Sequence, residues 1–117
     1  MKYGKVWGTT EPLIETPLIE FHRITIKPNM QCSLHKHTQK WNAFYVVKGV
    51  LQIVVFKNDY DLEDTTNLGP GDFTTVKPGE FHLFKSNEMH VEAFELYYPS
   101  ALSEDIIRKT VGGAIEI

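Results

Sequence analysis

Three histidines have the spacing that binding of a metal ion requires. His35 and His37 are two residues apart, so both side chains point to the same face of an extended segment. His82 follows the turn-forming pair Pro78-Gly79, which would present a third imidazole. The simpler alternative places the first two on the surface of a polar loop, SLHKHTQK. We expect the three to hold one divalent transition-metal ion, because imidazole suits zinc, iron, nickel and, less well, manganese.

The elements that must position these histidines are predicted to be short β-strands. Turn-forming groups such as Gly69-Pro70-Gly71 and Ser86-Asn87 separate segments rich in β-branched and aromatic residues. Many short strands with regular turns favour a closed barrel or a sandwich over a βαβ fold. The six segments are Phe21–Ile26, Phe44–Val47, Leu51–Phe56, Phe73–Val76, Phe81–Phe84 and Val91–Tyr98.

The C-terminal segment instead predicts one short helix. Ser103 can cap its first turn, and Glu104-Asp105 suits the positive end of the helix dipole. Arg108-Lys109 suits the other end, and Gly112-Gly113 would end the helix. The expected fold is therefore all-β apart from this element.

Composition limits both the organisation of the chain and its partners. With 117 residues and 42% hydrophobic content, residues 1–117 are expected to form one domain. A net charge of −3 without a basic run argues against nucleic acid. The apolar stretches are too short to span a bilayer and the N-terminus has no apolar signal core, so we expect no membrane contact and a cytoplasmic location. The single Cys32 agrees with a reducing compartment.

The histidines and glycines resemble the two cupin motifs, G-x5-H-x-H-x3-4-E-x6-G and G-x5-P-x-G-x2-H-x3-N. The resemblance implies a cupin-type double-stranded β-helix, also called a jelly-roll barrel. The positions that match are His35, His37, Gly49, Gly71, Gly79 and His82. The positions that depart from the pattern are Asn29 for glycine, Asn42 for glutamate, Pro78 one position late, and Ser86 for asparagine.

A narrower resemblance covers nearly the whole chain. The segments KVWG (5–8), RITIKP (23–28) and SEDIIR (103–108) are similar to the cupin domain of type II mannose-6-phosphate isomerases. Those enzymes interconvert an aldose phosphate and a ketose phosphate. Two of the four metal-ligand types differ here, so the resemblance supports the scaffold and a sugar-like ligand better than the reaction. The ligands glutamine, histidine, glutamate and histidine of that family correspond to His35, His37, Asn42 and His82.

Asn42 changes the charge of the predicted site. Imidazole and amide groups are neutral, so the ion would keep its full +2 charge and attract an anionic substrate such as a sugar phosphate or a small acid. Asn42 binds the ion through its amide oxygen, orients a metal-bound water, or is an ordinary buried amide. All three interpretations remain open on the sequence alone.

An isomerase also needs a side chain that carries a proton between neighbouring carbon atoms. Glu95 is the candidate, because a carboxylate in a strand of bulky apolar residues needs either a cavity or a cationic partner. A salt bridge with Arg23 or Lys40 is the alternative. On the resemblance, Lys40 and Arg108 lie at basic positions of the isomerase pattern, and we assign Lys40 to catalysis with Glu95. Arg23, Arg108 and Tyr97 are the expected substrate contacts.

Two other functions remain in view. A three-histidine centre also resembles cupin dioxygenases that use ferrous iron, and a small barrel can bind a sugar or an acid without turnover. His22 and His90 are interpreted as structural or solvent-facing and are left out of the ligand set. We expect a homodimer, for which the apolar segment 12–19 offers a strand.

Overall fold

The computed structural model describes residues 1–57, 62–99 and 106–115. These residues form β-strands joined by turns and loops, and none of them lies in a helix. A membrane-spanning helix is therefore not found among them. The strands are β1 (Tyr3–Lys5), β2 (Gly8–Glu15), β3 (Glu20–Ile26), β4 (Met30–Gln31), β5 (His35–Lys36), β6 (Trp41–Lys48), β7 (Leu51–Lys57), β8 (Leu62–Leu68), β9 (Phe73–Val76), β10 (Phe81–Lys85), β11 (Val91–Tyr98), β12 (Ile107–Arg108) and β13 (Gly113–Ala114).

Two antiparallel sheets make up the fold. The first has the order β1-β2-β3-β11-β6-β9. The second has the order β12-β5-β10-β4-β13, and β7 joins it by pairing with both β10 and β8. The predicted all-β architecture is confirmed, and each of the six predicted segments lies within a strand.

The core lies between the sheets because successive side chains of a strand point to opposite faces. Ile24 and Ile26 of β3 are fully buried, as are Phe44 and Val46 of β6. Tyr45, between Phe44 and Val46, is exposed on the outer face, as is Arg23 next to Ile24. This alternation is the pattern of an antiparallel sheet with one solvated face.

The predicted C-terminal helix is wrong where the structure describes it. Ile107 and Arg108 form β12 and pair with Lys36 and His35 of β5. Pairing with a distant strand outweighs the weak local helix signals of the segment. Gly112 does not end a helix; its backbone lies so close to Cys32 that an added Cβ would be 2.5 Å from the carbonyl carbon of that residue. The proposed cap at 103–105 lies outside the described residues.

Two further sequence features take definite places in the fold. Asn29, which replaces a motif glycine, has a φ of 55° and so adopts the left-handed conformation that asparagine tolerates. The segment expected to serve a dimer partner is in part β2, which pairs with β1 and β3 of its own chain. The homodimer stays a prediction.

Candidate metal centre and cavity

The three predicted ligands meet inside the second sheet. His35 lies in β5, His37 follows that strand directly, and His82 lies in β10 as the cross-strand partner of His35. The ring centroids are 5.1 Å apart for His35 and His37, and 4.5 Å apart for His35 and His82. One nitrogen of each ring lies within 4.8 Å of the others, and all three residues are buried. This group can hold a metal ion.

Backbone carbonyls orient two of the rings. Nδ1 of His35 lies 2.7 Å from the carbonyl oxygen of Ser33, and Nδ1 of His82 lies 3.0 Å from that of Glu80. A carbonyl oxygen only accepts hydrogen bonds, so each Nδ1 carries the proton and each Nε2 is left for a metal. The turn that presents His82 is tied to the first motif, since the Gly79 N–H donates to the His37 carbonyl at 2.7 Å.

Asn42 faces this group from the neighbouring sheet. Its Nδ2 donates to the carbonyl of Leu96 at 2.9 Å and to Oε2 of Glu95 at 3.4 Å, which turns Oδ1 toward His82. The distance from Oδ1 to Nε2 of His82 is 3.1 Å. Two ligands at right angles with bonds of about 2.1 Å are about 3.0 Å apart, so these atoms fit adjacent positions of one ion. Ligation by Asn42 stays a prediction that this arrangement supports.

Burial keeps His35 and His82 neutral. It lowers the pKa of His35 to about 3, and repulsion from His82 acts in the same direction. Burial also lowers the pKa of His82, against the hydrogen bond to the Glu80 carbonyl. Neutral imidazoles are the form that binds a metal, so the site is ready to bind at neutral pH without losing protons.

A cavity of about 270 Å³ opens beside the centre. His35 forms part of its wall, and the other polar residues around it come from both sheets and from the C-terminal segment. They include Thr10, His22, Ser33, Glu95, Tyr97 and Arg108. The cavity therefore brings a potential metal site, a carboxylate and a guanidinium group together.

Comparison with known proteins identifies the fold. Residues 22–97 match the family description of the cupin domain. The chain belongs to the cupin family. No curated protein matches this cupin in sequence.

Solved structures share the fold at low sequence identity. Oxalate decarboxylase from Bacillus subtilis has 14% identity and a TM-score of 0.80, over 93% of this cupin and 30% of that chain. CapF has 15% identity and a TM-score of 0.80, over 100% of this cupin and 34% of that chain. KdgF from Halomonas sp. has 18% identity and a TM-score of 0.68, over 78% and 77%. The cupin thus spans about a third of the length of the first two.

Most of the residues predicted for catalysis and substrate binding lie at or beside the cavity. Glu95 is 5% exposed and lines the cavity, as Tyr97 does. Lys40 is buried, with its Nζ 4.3 Å from the centre of the Tyr97 ring. Arg108 lines the cavity and its Nε donates to Oγ of Ser33 at 3.2 Å.

Arg23 is not brought to the cavity. Its side chain is 45% exposed on the outer face of β3, where its Nη2 lies 3.5 Å from Oε1 of Glu92. The alternation of a strand requires this, because Ile24 next to it faces the core. Arg23 therefore lies apart from both Glu95 and the expected substrate position.

His22 is the cavity residue that sequence reasoning set aside. It shares the inward face of β3 with Ile24 and Ile26, and its ring lies against Tyr97 with centroids 5.7 Å apart. The period of two through His22, Ile24 and Ile26 is the sequence signal from which this inward position could have been predicted. Sequence alone did not indicate that a cavity lies there.

Acidification is expected to destabilise the metal-free protein. The pKa of His35 is about 3 in the folded chain and about 6.5 when unfolded, so the unfolded state binds more protons in this range. The free energy of unfolding should have its full value above pH ~6.5. Between pH ~6.5 and pH ~3 it should fall by up to about 1.4 kcal/mol per pH unit for each such histidine. Urea denaturation of the metal-free protein from pH 7.5 to 4 measures this.

The control for this prediction is His35→Gln. Glutamine does not titrate, so the variant should show a shallower loss of stability with acidification than the parent chain. Equal slopes in the two proteins, or a flat profile between pH 7 and 5, would contradict the assignment.

Proposed function

We propose that this cupin is a metal-dependent isomerase of a small phosphorylated sugar, in which Glu95 moves a proton between neighbouring carbon atoms. One observation carries the proposal: a buried carboxylate forms part of the wall of the cavity that also contains the metal-site residue His35. Oε2 of this carboxylate accepts a hydrogen bond from Asn42, whose Oδ1 faces His82. The base and the metal site are therefore linked through one side chain.

The surroundings of Glu95 suit a base. Burial raises the pKa of this carboxyl, while hydrogen bonds from Tyr97 and Asn42 and the positive charge of Lys40 oppose the rise. A carboxylate with a raised pKa accepts a proton from carbon more readily than an exposed one. Lys40 thus has a place in the proposal, through its charge near Glu95.

The metal site supplies the remaining chemistry. His35, His37 and His82 would hold a divalent ion, which would supply polarisation of a carbonyl oxygen and offset negative charge on it. Neutral imidazole and amide donors leave the charge of the ion uncancelled, which favours an anionic, oxygen-rich substrate. Zinc, iron, nickel and manganese are the metals to test.

Arg108 is the proposed contact for the phosphate group. Its Nε donates to Oγ of Ser33, and a guanidinium group has further N–H donors that suit a phosphate group. Lys5 also lines the cavity and adds positive charge.

Arg108→Gln should weaken substrate binding without removing the chemistry. Loss of a charge-assisted contact to phosphate is expected to raise KM about 10- to 100-fold, with kcat little changed. Steady-state kinetics measures both constants, and Lys48→Gln, at an exposed strand end, is the matched control. A fall in kcat at unchanged KM would contradict the phosphate contact.

The proposed reaction is tested with mannose 6-phosphate and fructose 6-phosphate in D₂O. Metal-loaded protein should convert one into the other and introduce deuterium at C2 of the aldose and at C1 of the ketose, and protein stripped of metal should do neither. The measurement is proton NMR of the sugar. Absence of exchange with every hexose and pentose phosphate would overturn the proposal, and binding without exchange would indicate a non-catalytic sugar-binding module.

The group of three histidines favours a second candidate, a ferrous dioxygenase. The three clustered ligand candidates are imidazoles, and this donor set suits iron with further open positions. Oxygen consumption by the iron-loaded protein with small thiols or diketones tests it. A flat oxygen trace rejects it for those substrates.

A further inference from the structure

A second polar chain reaches the cavity from β2 and β3. Nδ1 of His22 lies 3.1 Å from Oγ1 of Thr10, and Nε2 lies 3.3 Å from Oε1 of Glu20. The side chains of His22 and Glu20 are 14% and 17% exposed. Thr10 and His22 both line the cavity. A carboxylate, an imidazole and a hydroxyl thus follow one another from the barrel wall to the cavity.

The chemistry of the three groups sets the direction of the hydrogen bonds. A carboxylate only accepts, so Nε2–H of His22 donates to Glu20. In the neutral ring Nδ1 is then an acceptor, and the Thr10 hydroxyl donates to it. The oxygen of Thr10 keeps its acceptor capacity on the cavity side. A hydroxyl in this state can take a proton from a ligand while passing its own proton to the imidazole.

This chain lies beside the proposed base. His22 of β3 and Glu95 of β11 are direct cross-strand partners, and Glu20 is in the same way the partner of Tyr97. When His22 is in its imidazolium form, that positive charge lowers the pKa of the Glu95 carboxyl, against the effect of burial. One wall of the cavity therefore presents a carboxylate and an imidazole on adjacent strands.

We propose that Glu20, His22 and Thr10 form a proton relay that serves the oxygen atoms of the substrate, while Glu95 serves its carbon atoms. The inference rests on the proposed function. Interconversion of an aldose and a ketose requires two transfers, one proton from C2 to C1 and one from the hydroxyl on C2 to the oxygen on C1. The Glu95 carboxylate accounts for the transfer between the carbon atoms. Thr10, His22 and Glu20 in the cavity wall account for the transfer between the oxygen atoms.

The steps balance without an oxidant or a reductant. Glu95 takes the proton of C2, the C2–H electron pair forms the C1–C2 double bond, and the carbonyl electron pair moves to O1. Thr10 then accepts the proton of O2 as its own proton passes to Nδ1 of His22, and Glu20 stabilises the resulting imidazolium. The proton returns through Thr10 to O1. Finally O2 forms its double bond to C2, and C1 takes back the proton from Glu95.

The test separates exchange at carbon from net conversion. In D₂O, His22→Gln should still exchange the proton at C2, because Glu95 is intact, while conversion of aldose to ketose falls about 100-fold. The ratio of exchange to conversion should therefore rise by at least about ten-fold. Thr10→Val should behave in the same way, and Thr10→Ser, which keeps the hydroxyl, should restore conversion. His90→Gln, at an exposed histidine, is the control.

A second measurement is independent of turnover. Nitrogen-15 NMR of the His22 ring should show the neutral tautomer with the proton on Nε2. Glu20→Gln should shift the balance between the two neutral tautomers. The opposite tautomer overturns the relay even if the enzyme isomerises sugars, as does an equal fall of exchange and conversion in His22→Gln. The expected tautomer in a wild-type protein without any exchange would overturn the proposed function and, with it, the assignment of the relay to substrate oxygens.

Discussion

His82→Gln should abolish binding of the metal ion. The imidazole of His82 is 2% exposed, pairs across the sheet with His35, and directs Nε2 toward Oδ1 of Asn42. Its loss removes one of three imidazole donors and leaves Asn42 without its neighbour. Removal of groups that only support a ligand lowers metal affinity about 10- to 100-fold, and removal of a ligand itself should cost more. Metal content after dialysis, measured by mass spectrometry, gives the result.

Thermal unfolding provides a second measurement for this variant. A ligand at about 1,000 times its dissociation constant stabilises the folded state by about 4 kcal/mol, so added metal should raise the Tm of the parent chain. His82→Gln should show no such rise. His90→Gln is the matched control because His90 is exposed and should leave both readouts unchanged. One ion per chain retained by His82→Gln would contradict the three-histidine centre.

Glu95→Gln should remove proton transfer at carbon and leave the fold intact. General acid–base groups contribute about 10²- to 10⁴-fold to rate, so both conversion and exchange at C2 should fall by that factor. Glutamine is close in shape to glutamate and carries no charge to bury, so the free energy of unfolding should be maintained or increased. Kinetics of exchange by NMR and urea denaturation measure the two effects.

The pH dependence of the parent enzyme gives the sign of this assignment. Glu95 acts as a base only when ionised, and burial raises its pKa, so the rate should rise with pH across a limb above the ordinary range of a glutamate. That limb should be missing in Glu95→Gln. Glu92→Gln is the matched control, since Glu92 lies on the same strand with its carboxylate on the outer face beside Arg23. Equal losses in the two variants would show that Glu95 has no special role.

The cluster of three histidines was predictable because local rules govern it. A spacing of two in an extended segment places His35 and His37 on one face, and a Pro-Gly turn presents His82. Cross-strand pairing of His82 with His35 then follows from antiparallel packing of two short strands. The strands themselves were readable because their β-branched and aromatic residues are the ones that fill a sheet.

The wrongly predicted C-terminal helix shows that local sequence signals do not decide the structure of every segment. Charges at 104–109 suited a helix dipole, but Ile107 and Arg108 pair with β5, about 70 positions earlier in the chain. Hydrogen bonds to a distant strand contribute nothing to local propensity, so no window of sequence contains them. The same pairing brings Arg108 to the cavity. Arg108 therefore lies where a substrate contact was expected, although it belongs to a strand and not to a helix.

By itself the sequence determined the all-β strand pattern and the grouping of the three histidines, since each depends on residue type and short spacing, and its motifs resembled those of the cupin family. Only the tertiary structure decided what surrounds that centre. It placed Arg23 outside against Glu92, turned Asn42 toward His82, and set His22 beside Glu95. The physical reason is the order of the first sheet, in which β3 and β11 are neighbours although dozens of residues separate them in the chain.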